Sequence, residues 1–210
     1  MVASTNSDFS QYPASLRMNA RQDDKEGRSL EEIMDLGDML NERLEAYKRH
    51  NQGRLPKRII FFRDGVSTDQ FAIAKGPELQ RLQYAIRQTY RRDNVEKLPE
   101  TMLICTVKRH GTRFYPHPEG MNTDHHGPRT GNPISGTVFF NTVTYGRGHD
   151  FFLISQDAAI GTANPTHYIV LHNDIGTIQD SKQKKPRSVT STDIARMVGI
   201  LLPPLPKQVP

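Results

Sequence analysis

Two short and almost wholly apolar runs, IIFF at 59–62 and MLIC at 102–105, constrain this chain more than any other feature. Runs of this length and composition are typical of strands buried on both faces, as in sheets covered by helices on either side. Between them, residues 69–92 carry a helical periodicity interrupted at Gly76-Pro77. A strand, a helix and a second strand joined by short connections make a right-handed crossover and a parallel pair. The predicted fold class is therefore α/β.

The flanking segments add to this frame. Ser29 followed by Glu32 matches a capping box, in which each side chain satisfies an orphan N–H at a helix start. Leu30, Ile33, Leu36, Leu40 and Leu44 then recur on one face and predict an amphipathic helix over 30–49. Upstream, 2–5 and 14–18 are strand candidates parted by Tyr12-Pro13, and 20–29 read as a charged loop. Residues 115–135, rich in Pro, Gly, His and Asn, read as a long surface loop. Short strands are expected at about 137–143, 150–154 and 167–171 from their β-branched and apolar content. Beyond Asn173 the periodicity dissolves into the basic DSKQKKPRSVTSTD and the proline-punctuated LLPPLPKQVP, which predict a disordered or extended tail over 175–210.

A length of 210 residues leaves room for one substantial domain, and 35% hydrophobic residues imply an ordered centre with polar ends. The net charge of +5 favours a polyanionic partner, because basic side chains displace counterions from phosphates. The single cysteine, Cys105, lies within an apolar run and reads as a buried structural thiol in a reducing compartment. No run approaches the roughly 18 apolar residues of a membrane span, and the first residues lack a basic-then-apolar leader. The expectation is a protein without a membrane partner, in the cytoplasm or the nucleus. Neither a glycine-rich phosphate loop nor a GxSxG elbow is present, which disfavours nucleotide hydrolysis and acyl transfer.

Three groups of residues invite a chemical reading. Asp64 ends the first apolar run and precedes Gly65, where the chain can turn sharply. A carboxylate at the carboxyl end of a parallel strand suits a ligand site and could hold Mg²⁺, or it could cap the next turn. KRHGTRFYP follows the second run and concentrates Lys108, Arg109 and Arg113 with the Thr112 hydroxyl and with Phe114 and Tyr115 as stacking surfaces. Such a segment suits the backbone of a nucleic acid, or is a solvated charge run. His110, His117, His125 and His126 share one loop but lack the fixed spacing of zinc ligands, and His167 and His172 read as structural. Lys182, Lys184, Lys185 and Arg187 form a basic patch that reads as a solvated tail or a localisation signal.

Four blocks, PKRIIFFRDGVSTDQF (56–71), TVKRHGTRFYP (106–116), GNPISGTVFFNTVT (131–144) and HDFFLISQDAAIGTANPTHYIVLHND (149–174), together resemble the Piwi domain of eukaryotic Argonaute proteins. The resemblance implies a ribonuclease H-like mixed sheet with flanking helices, incomplete at both ends, over 1–174. It also implies a small guide RNA and a complementary target RNA as partners, silencing-complex proteins around them, and a role in RNA silencing. In members that cleave, Mg²⁺ or Mn²⁺ is held by two aspartates and a glutamate, usually with a histidine. Asp64 matches one aspartate and a metal ligand. Glu31 matches the glutamate, with Glu26 and Glu32 as alternatives. The first aspartate and the histidine have no counterpart here, so the resemblance implies guide binding without cleavage, or a piece of an active slicer. A degenerate protein-interaction module is the remaining alternative. The guide-phosphate role carries over to Lys108, Arg109, Thr112 and Arg113. Asn164 and Gln156 stand where many relatives carry basic or imidazole side chains.

Overall fold

The computed structural model describes residues 1–19, 22–23, 25, 29–115, 131–140, 149–158, 160–179 and 186–201. Two compact units are formed, one by Met1–Ile104 with Leu171–Ile175 and one by Cys105–Val170 with Gly176–Pro210. A five-stranded sheet in the order β3-β4-β7-β6-β5 supplies strands to both. These are β3 (Arg58–Asp64), β4 (Glu100–Val107), β5 (Val138–Phe139), β6 (Asp150–Leu153) and β7 (Thr166–Asn173). Two-residue strands β1 (Gln22–Asp23) and β2 (Ser29–Leu30) form a separate antiparallel ladder.

In the first unit the two apolar runs become neighbouring strands, as expected. Glu100 N–H donates to the Lys57 carbonyl at 3.1 Å, and Arg58 pairs with Glu100 at 2.7 Å, so both strands start side by side. The intervening segment breaks where Gly76-Pro77 indicates. A 3₁₀ turn at Thr68–Gln70, a one-turn helix α2 (Phe71–Ile73) and a π-helical turn (Ala74–Glu78) lead into α3 (Leu79–Arg92). Pro77 has no N–H to donate, so the wider turn relieves the conflict a regular helix would meet there.

Helix α1 (Leu36–His50) packs on α3. Leu36, Met39, Leu40 and Leu44 close on Leu82, Ala85, Ile86 and Tyr90. At Gly37 a side-chain carbon would sit 3.6 Å from Ala85, in ordinary contact with α3. Tyr90 is buried among these apolar groups, and its hydroxyl donates to the Pro56 carbonyl.

The expected start of this helix at residue 30 is corrected. The helix begins at Leu36, and the Ser29–Glu32 capping box is not formed, because Ser29 and Leu30 pair as strand β2. Distant side chains claim the backbone that a helix would have used. Glu31 N–H donates to Gln70 at 2.9 Å, Ile33 N–H to Glu78 at 2.8 Å and Met34 N–H to Asn19 at 3.4 Å. Satisfied backbone groups gain nothing from a further helical turn.

The first residues meet at a single antiparallel bridge rather than as two strands. Val2 bridges Ala14, and Ser15 N–H donates to the Met1 carbonyl at 2.8 Å. The reversal lies at Asn6–Ser10 rather than at Tyr12-Pro13. The Asn6 side chain accepts from the Ser10 and Gln11 N–H groups at 3.2 and 3.0 Å. An asparagine bonded to the backbone a few residues on is a turn-former in its own right.

In the second unit β6 is buried at every position and pairs antiparallel with both β5 and β7. Phe151 stacks on Tyr168 with ring centres 5.2 Å apart. Cys105 is fully buried, as expected of a structural thiol.

The expected extended tail from 175 does not match the structure. Strands β8 (Thr177–Gln179) and β9 (Pro186–Ser188) pair antiparallel, and helix α4 (Ser191–Leu201) buries Ile194, Ala195 and Val198. Thr190 N–H donates to the Asp193 carboxylate at 2.9 Å, and Asp193 N–H donates to the Thr190 hydroxyl at 3.4 Å, an N-terminal capping box. Residues 202–210 lie outside the described set.

Candidate nucleic-acid interface

The carboxyl end of β3 is built around Arg63 rather than around its acidic neighbour. Arg63 reaches buried Glu78 with two nitrogens, at 2.8 and 3.1 Å, and also donates to the carbonyls of Glu31 and Asp64. Glu78 is 2% exposed and accepts from Ile33 N–H as well. A buried carboxylate with this many donors is compensated for leaving water. One ion pair thereby anchors the strand end, the segment before α1 and the π-helical turn.

Asp64 is exposed on this frame, and Gly65 takes φ 75°, the left-handed turn expected after it. Glu31 meets the same turn. Its carboxylate accepts from the Ser67 N–H at 2.8 Å and from the Ser67 hydroxyl at 3.3 Å. Asp64 and Glu31, far apart in sequence, are thus held at one turn, although Glu31 does not head a helix. Glu32 instead pairs with Arg81 at 2.5 Å, and Glu26 lies outside the described residues.

Among the described residues, no group of three or more His, Cys, Asp or Glu side chains is gathered to hold a metal ion. Two-metal chemistry needs carboxylates on both sides of the attacked phosphate. The described residues alone do not meet that requirement.

The basic segment after β4 belongs to the second unit and rests on an aromatic stack. Phe114 lies 3.7 Å from Phe139 in parallel stacking and edge-on to Phe152, which in turn stacks on His167 at 4.1 Å. Phe114 is therefore spent on internal packing and corrected as a stacking surface, whereas Tyr115 is 71% exposed. His167 forms a buried pair with Asp150 at 2.9 Å, and His172 bonds Asp174 and Thr101, both structural as expected.

His110 locks the segment down. Its Nε2 meets the Pro165 carbonyl at 2.9 Å, its ring lies edge-on to Phe152, and its buried Nδ1 has no partner. Burial holds this imidazole below its ordinary range; the bond to Pro165 opposes that, and His167 and Arg113 nearby add to it. A neutral ring donating from Nε2 satisfies the geometry. Arg113 folds back to donate to the His110 and Thr112 carbonyls at 3.0 and 2.7 Å. Lys108 and Arg109 are exposed, and Thr112 is half-buried. His117, His125, His126, Lys182, Lys184 and Lys185 lie outside the described residues. Gln156 and Asn164 are exposed.

Arg63, Glu78, Ser67 and Gln70 escape the sequence reading because each acts through a partner remote in the chain. The RDGVS run was the only local signal that this turn is a site.

The mixed sheet with helices against it is of the ribonuclease H-like class found in its structural neighbours. The C-terminal lobe of a budding yeast Argonaute aligns with a TM-score of 0.70 and 29% identity, over 96% of this chain and 37% of that one. The Kluyveromyces polysporus Argonaute solved with a guide RNA gives the same TM-score and identity over 22% of its length. A model of the Piwi domain matches residues 1–190, and the chain belongs to the Piwi domain family. The match extends past residue 174, into the segment expected to be a tail. The rice protein argonaute 2 is 33% identical over 184 residues, which is 88% of this chain and 16% of the rice protein. This chain thus spans a minor part of the length of such relatives.

Proposed function

We propose that this chain is the guide-holding part of an Argonaute-type silencing protein, binding a small guide RNA and its complementary target through contacts to the strand backbone. The observation that carries this reading is the Lys108–Arg113 segment. Its exposed cations Lys108 and Arg109 stand on a base fixed by His110 and Arg113. A pre-ordered cationic loop binds phosphates with less ordering cost than a free tail does. Thr112 adds a hydroxyl donor. The likeness to an Argonaute solved with a guide RNA supports the same class of ligand.

On the residues of this chain the proposed action is binding without cutting. Asp64 and Glu31 supply two carboxylates, one already engaged by Ser67, where metal-dependent cleavage requires a larger set. A second reading has its own support: both carboxylates meet one turn, an arrangement that suits a guide-directed endoribonuclease whose remaining ligands are supplied from outside these residues. In that case Asp64 would hold Mg²⁺ or Mn²⁺.

A guide-loading assay tests both. The purified chain is mixed with a short RNA, then with a labelled complementary RNA and Mg²⁺ or Mn²⁺. Retention of the target only when it matches the guide, with its length unchanged, is the expected result. Shortened target that persists in wild type and disappears in Asp64→Asn would establish the second reading, and no guide-dependent retention would refute both.

A further inference from the structure

We infer that the outward face of helix α3 is a second binding surface, for single-stranded nucleic acid, separate from the Lys108–Arg113 loop. The helix reads LQRLQYAIRQTYRR and contains four arginines and no acidic residue. Its inner face is fixed by burial of Leu82, Ala85, Ile86 and Tyr90. The opposite face therefore carries Gln80, Tyr84, Arg87, Gln88 and Arg91, all exposed and spaced by three or four residues.

The arginines on this helix fall into two groups. Arg81 is paired with Glu32, and Arg92 with Glu45 and Asp93. Arg87 and Arg91 have no partner among the described residues. The negative end of the helix dipole accounts for cations in the last turn, which covers Arg91 and Arg92 but does not reach Arg87. Tyr84 lies one turn before Arg87 and Gln88 and is 63% exposed, with no apolar neighbour on that face to cover it.

This combination selects the ligand. Residues four apart on a helix are separated by about 6 Å along its axis, close to the step between successive phosphates of one strand. Guanidinium groups at that spacing can each grip a phosphate in bidentate fashion, and a bare tyrosine offers a platform for an unstacked base. Tyr and Arg also serve protein interfaces, but with no acidic group on the helix a protein partner would have to be acidic, which the experiment below distinguishes. A duplex would present no free base to that ring. The inference does not depend on the guide-binding reading of the loop.

Photo-crosslinking tests it. The full chain, its Arg87→Gln/Arg91→Gln variant and its Lys108→Gln/Arg109→Gln variant are each bound to single-stranded RNA containing 4-thiouridine, and cross-linked peptides are mapped. Circular dichroism confirms unchanged helix content, since the altered residues are exposed. The expected result is a cross-link within 79–92 that survives in the loop variant and is lost in the α3 variant. The α3 variant should also bind roughly tenfold more weakly or worse at 0.1 M salt, as loss of two phosphate contacts implies. Cross-linking and affinity of the α3 variant equal to wild type would overturn the inference. So would displacement of the RNA from α3 by a glutamate-rich peptide that binds there more tightly, which would make this an acidic-protein surface. Loss of the 79–92 cross-link in the loop variant would likewise overturn the inference, whereas weaker overall binding with that cross-link retained bears on the proposed function alone.

Discussion

His110 and Glu78 are the two residues on which the site geometry turns, and neither was selected for that reason by its neighbours in sequence. His110 is held neutral by burial, so its folded-state pKa lies below the ordinary 6.5. Above 6.5 the ring is neutral in both states and carries no penalty. As pH falls from 6.5 toward the folded value, the unfolded chain takes up the proton first, and stability is lost. Ring-carbon NMR should show His110 titrating with a midpoint below 6.5; a midpoint at or above it would contradict the buried, neutral assignment. Glu78 answers a different question. Replacing it by Ala leaves Arg63 charged and poorly solvated, which costs about 3–5 kcal/mol. An unfolding free energy from urea titration lowered by less than about 1 kcal/mol would mean that Arg63 finds another partner and does not anchor the turn.

At the level of elements, the strands were more legible than the helix boundaries. IIFF and MLIC needed only local composition to be recognised as strands; MLIC is buried throughout as expected, whereas IIFF is only half-buried and so corrects the expectation of burial on both faces. Leu36, Leu40 and Leu44 likewise announced the α1 stripe that packs on Leu82 and Ile86. The start of α1 was misplaced because Gln70, Glu78 and Asn19 reach in from elsewhere, and no local pattern records them. Helix α4 was missed for the opposite reason. The box Thr190–Asp193 and the spacing of Ile194 and Val198 were present in the sequence, but basic and proline-rich neighbours masked them. Thr190→Ala should destabilise α4 by about 1 kcal/mol, read as faster amide exchange within 191–201. Unchanged exchange would show that buried Ile194 and Val198 hold the helix without its cap. Leu82→Ala, at the α1–α3 contact, should cost about 2–5 kcal/mol in a urea titration, and a cost under 1 kcal/mol would place that contact outside the cooperative core.

For the molecule as a whole, the sequence led to the family and to the two candidate sites, while their support had to come from packing. Asp64 and Glu31 could be matched one by one to a pattern, yet only the fold brings Glu31 onto the turn after Asp64, through Ser67. Lys108 and Arg109 could be named as phosphate ligands, yet only the fold shows Arg113 turned inward and Phe114 held in a stack. The central claim is that RNA is held by its phosphates at this loop. Its most direct test is the salt dependence of short-RNA binding by the intact chain and by Lys108→Gln/Arg109→Gln. Loss of two phosphate contacts predicts weaker binding of every sequence alike and a slope of log affinity against log salt shallower by about 1.4. An unchanged slope, or a loss confined to particular sequences, would contradict the account.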